Sequence, residues 1–187
     1  MIWNEILCLG DSITIGARDE YGRSYPAELG KILTEYTKEF YYCHNYGISG
    51  ETSSDLLKRS WNNISSKENS NIMLLMIGTN DTQQGIPKNI YEDNLRQIIS
   101  IAYVHNMYVI VGTLPELGFT PLYISNTADI KKYNKVIHKL SKEMNFTTCN
   151  MSGLEKHYID GVHLKHNGNI ELANRFFQSI IKIQENY

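Results

Sequence analysis

Ile72-Met73-Leu74-Leu75-Met76-Ile77-Gly78-Thr79-Asn80-Asp81 is the stretch on which the fold of this chain turns. An unbroken apolar run has no polar face, so as a strand it must be covered on both sides, as in the interior of a parallel sheet. The glycine that ends it and the polar residues that follow mark a loop at the strand's carboxyl end. Outward from this run the same alternation recurs. Ile6-Leu7-Cys8-Leu9 and Tyr108-Val109-Ile110-Val111 are further short apolar runs, with weaker ones at Phe40-Tyr41-Tyr42-Cys43 and Phe146-Thr147-Thr148-Cys149. Between them the period lengthens to that of a helix. Leu29, Ile32, Leu33 and Tyr36 form one stripe, opened by Pro26, and Leu57, Trp61 and Ile64 form another, behind the capping candidates Thr52, Ser53 and Ser54. Tyr91, Leu95, Ile98, Ile99 and Ala102 form a third, and Ile130, Tyr133, Ile137, Leu140 and Met144 a fourth. Leu172, Ala173, Phe176, Phe177 and Ile180 form the last. Each falls at the i, i+3, i+4 spacing of a buried helical face. Strands alternating with helices give right-handed crossovers and an α/β fold, a parallel sheet with helices on both faces.

Composition bounds the function. The chain has 187 residues, which predicts one domain over 1–187 with a core large enough to need no disulfide or metal staple. Hydrophobic residues at 42% and charged residues at 20% exclude wholesale disorder. With 18 basic and 20 acidic residues the net charge is -2, which leaves no electrostatic footprint for nucleic acid or an anionic membrane. Cys8, Cys43 and Cys149 are widely spaced and form no CxxC pair, so they are expected as buried thiols. Met1 to Glu5 carries no basic leader, and no apolar run approaches the ~18 residues of a membrane span. A cytoplasmic setting is therefore expected.

In a doubly wound sheet, ligands gather at the carboxyl ends of the strands. Gly10-Asp11-Ser12-Ile13-Thr14-Ile15-Gly16 follows the first strand. A serine between strand and helix can be a nucleophile facing backbone N–H groups, a helix cap, or part of a phosphate-binding loop. The phosphate reading is the weakest, since neither GxGxxG nor Gly-Lys-Ser/Thr is present. Asn45-Tyr46-Gly47-Ile48-Ser49-Gly50-Glu51-Thr52 follows the second strand, where a glycine lets backbone approach a substrate. Asn80, after the third, can present two amide donors or close an Asx turn. In Tyr158-Ile159-Asp160-Gly161-Val162-His163-Leu164, an acid three residues before a histidine can hold Nδ1–H and leave Nε2 free as a base.

Taken together, Gly10-Asp11-Ser12-Ile13 with Gly16, Asn45-x-Gly47, Gly78-x-Asn80-Asp81 and Asp160-x-x-His163, in that order, resemble the four blocks of the GDSL-type, or SGNH, serine hydrolases. The resemblance extends from Ile6 to about Phe177. It implies a flavodoxin-like three-layer α/β/α sandwich with strand order 2-1-3-4-5. It also implies Ser12 as nucleophile, His163 as general base and then acid, and Asp160 as its orienting partner. The oxyanion hole would be the backbone N–H groups of Ser12 and Gly47 and the side-chain amide of Asn80. Asp11, Thr79 and Asp81 are assigned to loop structure. Ile13 stands where the family name has leucine, and Leu164-Lys165 follows the histidine where many members have proline. The activity implied is acyl ester hydrolysis through an acyl-enzyme, with no metal and no organic cofactor. The substrate is expected to be a small-molecule or carbohydrate ester, and residues 115–123 are expected to line its pocket. A short acyl or acetyl group is favoured, with a lysophospholipid or thioester as the alternative.

Two rival classes stand beside it. His157, Asp160, His163 and His166 recur every three residues and would align as metal ligands on a helix. Gly161, Val162 and Asn167-Gly168 argue for a loop instead. The same fold also serves non-catalytic binding domains, but none of Ser12, Asn80, Asp160 and His163 is missing. The remaining histidines, His44, His105 and His138, are expected to be partly packed, with no role.

Overall fold

The computed structural model describes residues 4–67, 69–118 and 127–184. Five parallel strands lie in the order β2-β1-β3-β4-β5. They are β1 (Asn4–Gly10), β2 (Tyr41–Gly47), β3 (Ser70–Met76), β4 (Tyr108–Gly112) and β5 (Thr147–Cys149). The helices are α1 (Ser12–Ile15), α2 (Tyr25–Thr37), α3 (Ser53–Ser65), α4 (Thr79–Gln84), α5 (Lys88–Val104), α6 (Thr127–Met144) and α7 (His166–Gln184), with a 3₁₀ turn at Leu154–His157.

The apolar runs do what two-sided burial requires. Leu7, Leu9, Met73 and Leu75 face a core shared with α3, α5 and α6. Ile6, Cys8, Leu74 and Met76 face a second core shared with α2 and α7. Three layers result, as the alternation of strands and helices predicted. Fully burying one such side chain contributes about 1.5–3 kcal/mol, and the central strands β1 and β3 are buried almost throughout.

Three local features differ from the sequence reading. Two short helices, α1 and α4, begin inside the stretches read as loops, so Ser12 and Asn80 both sit in a first helical turn. The buried stripe of α3 is Leu56, Ser60 and Ile64, and Trp61 is 55% exposed with its ring edge-on to His105. The cap sets this rotation: Thr52 and Asp55 close a capping box, and Ser53 is pinned from its N–H and hydroxyl to the Asp81 carboxylate. Finally, β2 begins one residue later than its apolar run and continues to Gly47. Of the thiols, Cys8 and Cys149 are buried and Cys43 half-buried.

The register aligns the strand ends. Gly10 pairs with Gly47 on one side and with Met76 on the other. The loops after β1, β2 and β3 therefore leave the sheet at one level.

Candidate active site

The chain turns sharply after β1. Asp11 caps α1, its carboxylate accepting the Ile13 N–H at 2.9 Å, and Gly16 ends the helix in the left-handed region. Ser12 is the first residue of this helix, and its N–H has no partner among the described residues. Helix N-termini leave such donors open.

Asp160 and His163 are brought together by a small antiparallel hairpin. Tyr158 bridges to Leu164, the Ile159 N–H donates to the His163 carbonyl at 2.9 Å, and Gly161 takes φ +87° at the tip. Asp160 Oδ1 accepts the N–H groups of His163 at 2.8 Å and Val162 at 3.1 Å. Oδ2 lies 2.7 Å from His163 Nδ1. A carboxylate can only accept, so Nδ1 carries a proton, and in the neutral ring Nε2 is the acceptor. Nε2 is 3.0 Å from Ser12 Oγ, across 151 residues of sequence. Ser12 and His163 are both buried.

Burial pulls the Asp160 carboxyl upward, but the backbone and ring N–H groups of His163 outweigh it and hold Asp160 below its ordinary value. Arg18, half exposed at the rim, adds a contact from Nε to Oδ2 at 3.1 Å. Two ties from the loop after β4 steady the hairpin. The Gly118 N–H donates to the Gly161 carbonyl at 2.7 Å, and the Tyr158 hydroxyl donates to the Glu116 carbonyl at 2.9 Å.

Among the three expected oxyanion donors, Asn80 is half-buried and donates one amide hydrogen to the Glu51 carbonyl at 2.8 Å. That bond fixes the amide and leaves its second hydrogen for another acceptor. Gly47, expected as a donor, does not present an open N–H. Its N–H donates to Asn45 Oδ1 at 3.0 Å, and a Cβ there would lie 2.2 Å from the Ile15 nitrogen. It is a packing glycine, spent inside its own turn. Three residues on, Gly50 is exposed at φ +84°, and its N–H has no partner among the described residues. The sequence signal for it was its place just outside the strand and two residues before the Thr52 cap.

Residues 8–169 match the GDSL-like lipase/acylhydrolase family. The chain belongs to that family. A lipase/acylhydrolase from Enterococcus faecalis superposes with a TM-score of 0.82 at 23% identity, over 95% of each chain. An acetylxylan esterase from Geobacillus stearothermophilus superposes at 0.79 with 22% identity, over 95% of this chain and 94% of that one. An arylesterase from Vibrio mimicus is 29% identical over 97 residues, 52% of this chain and 48% of its own length. The chain thus spans about half of that curated relative.

Other polar groups around this GDSL-family site have structural partners. Asp11 is buried, and burial, opposed by the Ile13 N–H and aided by the nearby Asp81 charge, pushes its carboxyl up to about 7. His166 does not join His163. It faces Asp19 at 3.3 Å, and its N–H donates to Glu20. Among the described residues no group of three His, Cys, Asp or Glu side chains is placed to hold a metal ion. The four residues at threefold spacing lie in a 3₁₀ turn, a hairpin and a helix start, and not along one helix. His44 pairs with Glu5 at 2.7 Å, His105 is half-buried, and His138 is exposed. A groove of about 600 Å³ between α2 and β2 contains neither Ser12 nor His163, so the hydrogen-bonded side chains, and not groove size, mark the candidate site. Of the segment expected to line the pocket, 119–123 lies outside the described residues. No helix among the described residues is long and apolar enough to cross a membrane.

Proposed function

We propose that this chain is a serine ester hydrolase acting through an acyl-enzyme, as one hydrolase domain. The observation that carries the reading is the continuous chain from Ser12 Oγ to His163 Nε2 at 3.0 Å and from Nδ1 to Asp160 at 2.7 Å. A hydroxyl is a poor nucleophile until a base takes its proton. His163 Nε2 takes that proton as Oγ attacks the ester carbonyl, and Asp160 holds the imidazolium that forms. Negative charge then collects on the former carbonyl oxygen. The donors for it are the N–H of Ser12, the free amide hydrogen of Asn80, and the N–H of Gly50 in place of Gly47. His163 returns the proton to the leaving alcohol. Water, activated by the same nitrogen, then releases the acid. No metal or organic cofactor enters these steps.

The substrate class is a short-chain or acetyl ester of a small molecule or carbohydrate. The likeness to an acetylxylan esterase and to an arylesterase supports this preference. Lysophospholipids and thioesters would use the same groups. Three free thiols suit a reducing, cytoplasmic setting.

Hydrolysis of p-nitrophenyl acetate by wild type and Ser12→Ala, prepared side by side, tests the reading. Turnover in the first and none in the second is expected. Equal turnover in both would remove Ser12 from the mechanism. Silence from both, with no labelling of wild type by a fluorophosphonate, would remove the enzyme reading.

A further inference from the structure

One guanidinium touches the loops that carry Ser12 and Gly50 and is linked to the third proposed donor, Asn80, through Glu51. Arg59, on α3, donates from Nη2 to the Tyr46 carbonyl at 2.9 Å and to the Gly10 carbonyl at 3.3 Å. Gly10 lies two residues before Ser12, and Tyr46 ends in the loop that leads to Gly50. Nε lies 2.9 Å from both carboxylate oxygens of Glu51, and Nη2 reaches Oε2 at 2.5 Å. Glu51 is next to Gly50, and its carbonyl is the acceptor that fixes the Asn80 amide at 2.8 Å. Both side chains are largely buried, at 18% and 14% exposure. Nη1 is shut off from solvent with no acceptor among the described residues. A guanidinium in water would satisfy all its donors, and an incompletely paired buried ion is a poor device for stability.

Resting on the acyl-transfer reading above, we infer that the Arg59–Glu51 pair is the positioning element that sets the spacing of the three oxyanion donors. A planar fork can hold two carbonyls and a carboxylate in one fixed relation, which a lysine ammonium cannot. The pair touches neither His163 nor Asp160, so it acts on transition-state charge and leaves the base alone. Misplacing a donor by about 1 Å can cost on the order of 10²-fold in rate.

The experiment measures kcat, KM and the pH midpoint of kcat/KM on p-nitrophenyl acetate for wild type, Ser12→Ala, Arg59→Lys and Glu51→Gln, with circular dichroism on each. Arg59→Lys should lose about 10²-fold in kcat, with KM within about threefold and the pH midpoint unmoved. Glu51→Gln keeps the carbonyl that holds Asn80 and should move kcat the same way. If one variant fails to fold, the other decides. Folded variants with wild-type kcat, a loss confined to KM, or a displaced pH midpoint would each overturn the inference. So would the collapse of both variants, because the pair would then be holding the fold and not the donors. The underlying reading fails separately, in the comparison of wild type with Ser12→Ala alone.

Discussion

Asp160→Asn changes one atom, and the hydrogen bonds around it fix what that atom must do. Oδ1 accepts two backbone N–H groups, at 2.8 and 3.1 Å, while Oδ2 faces His163 Nδ1 at 2.7 Å and Arg18 Nε at 3.1 Å. Asparagine has one acceptor oxygen and one NH2 group. If its oxygen takes the ring, its NH2 collides with two N–H donors and leaves both without an acceptor. Each unmet buried donor costs about 1–3 kcal/mol. If its oxygen keeps the backbone pair, the NH2 faces Nδ1 and donates to it. The second arrangement is cheaper, and it drives the ring proton to Nε2. Nε2 then donates toward Ser12 Oγ and can no longer take its proton. A wrong tautomer at this position in serine hydrolases costs about 10⁴ in kcat, or about 5 kcal/mol in barrier. The expected outcome is that loss in kcat for p-nitrophenyl acetate, with a native circular dichroism spectrum. Arg18→Ala is the control, because Arg18 is 57% exposed and meets only the outer side of Oδ2. It should lose far less. A folded Asp160→Asn enzyme within tenfold of wild type would refute the tautomer reasoning.

Three further perturbations probe the surrounding turns. Asp11 ionises from 3.8 in the unfolded chain but is pushed to about 7 by burial in the fold, so the native state holds a proton that the unfolded state has lost between those values. Stability from this group is complete below about pH 4 and is lost as pH rises through about 7. Asp11→Asn keeps an oxygen for the Ile13 N–H, so its Tm relative to wild type should climb from about pH 4 to about pH 7 and level off above that; a pH-independent gap would contradict this. Gly47→Ala places a Cβ 2.2 Å from the Ile15 nitrogen and should fail to accumulate as folded protein. Gly50→Ala meets open space and only the left-handed φ, costing about 1–2 kcal/mol, so it should fold with Tm lowered by a few degrees.

The sheet was legible because two-sided burial leaves an unmistakable mark. Leu74 and Leu75 point into different cores, so neither could be polar, and the same holds for Cys8 and Leu9. The Ser12–His163–Asp160 arrangement was legible for a related reason. A parallel sheet delivers every loop to one edge, and residues far apart in sequence meet there without any local sign of the contact. The rotation of α3 was less legible. Leu57 and Trp61 fit a helical stripe as well as Leu56 and Ser60 do, and the choice was made by Ser53 and Asp81, a pair 28 residues apart.

That the Gly47 N–H is bonded while the Gly50 N–H is open follows from where β2 stops. An apolar pattern that fades at Cys43 places Asn45-x-Gly47 in a loop, free to face a substrate. The strand continues because its pairing is set by Gly10, not by its own side chains: Gly47 lies opposite Gly10, in register, with α1 packed against it. A Cβ at Gly10 would itself lie 2.3 Å from the Met76 carbonyl. Two glycines side by side at the strand ends are thus a requirement of close backbone packing. They let α1 sit low on the sheet edge, and that in turn lets a serine in its first turn reach a histidine from the far end of the chain. Arg59 follows the same logic, since the carbonyls it holds are 13 and 49 residues away. What the strand ends present to a substrate is decided by groups that never face it.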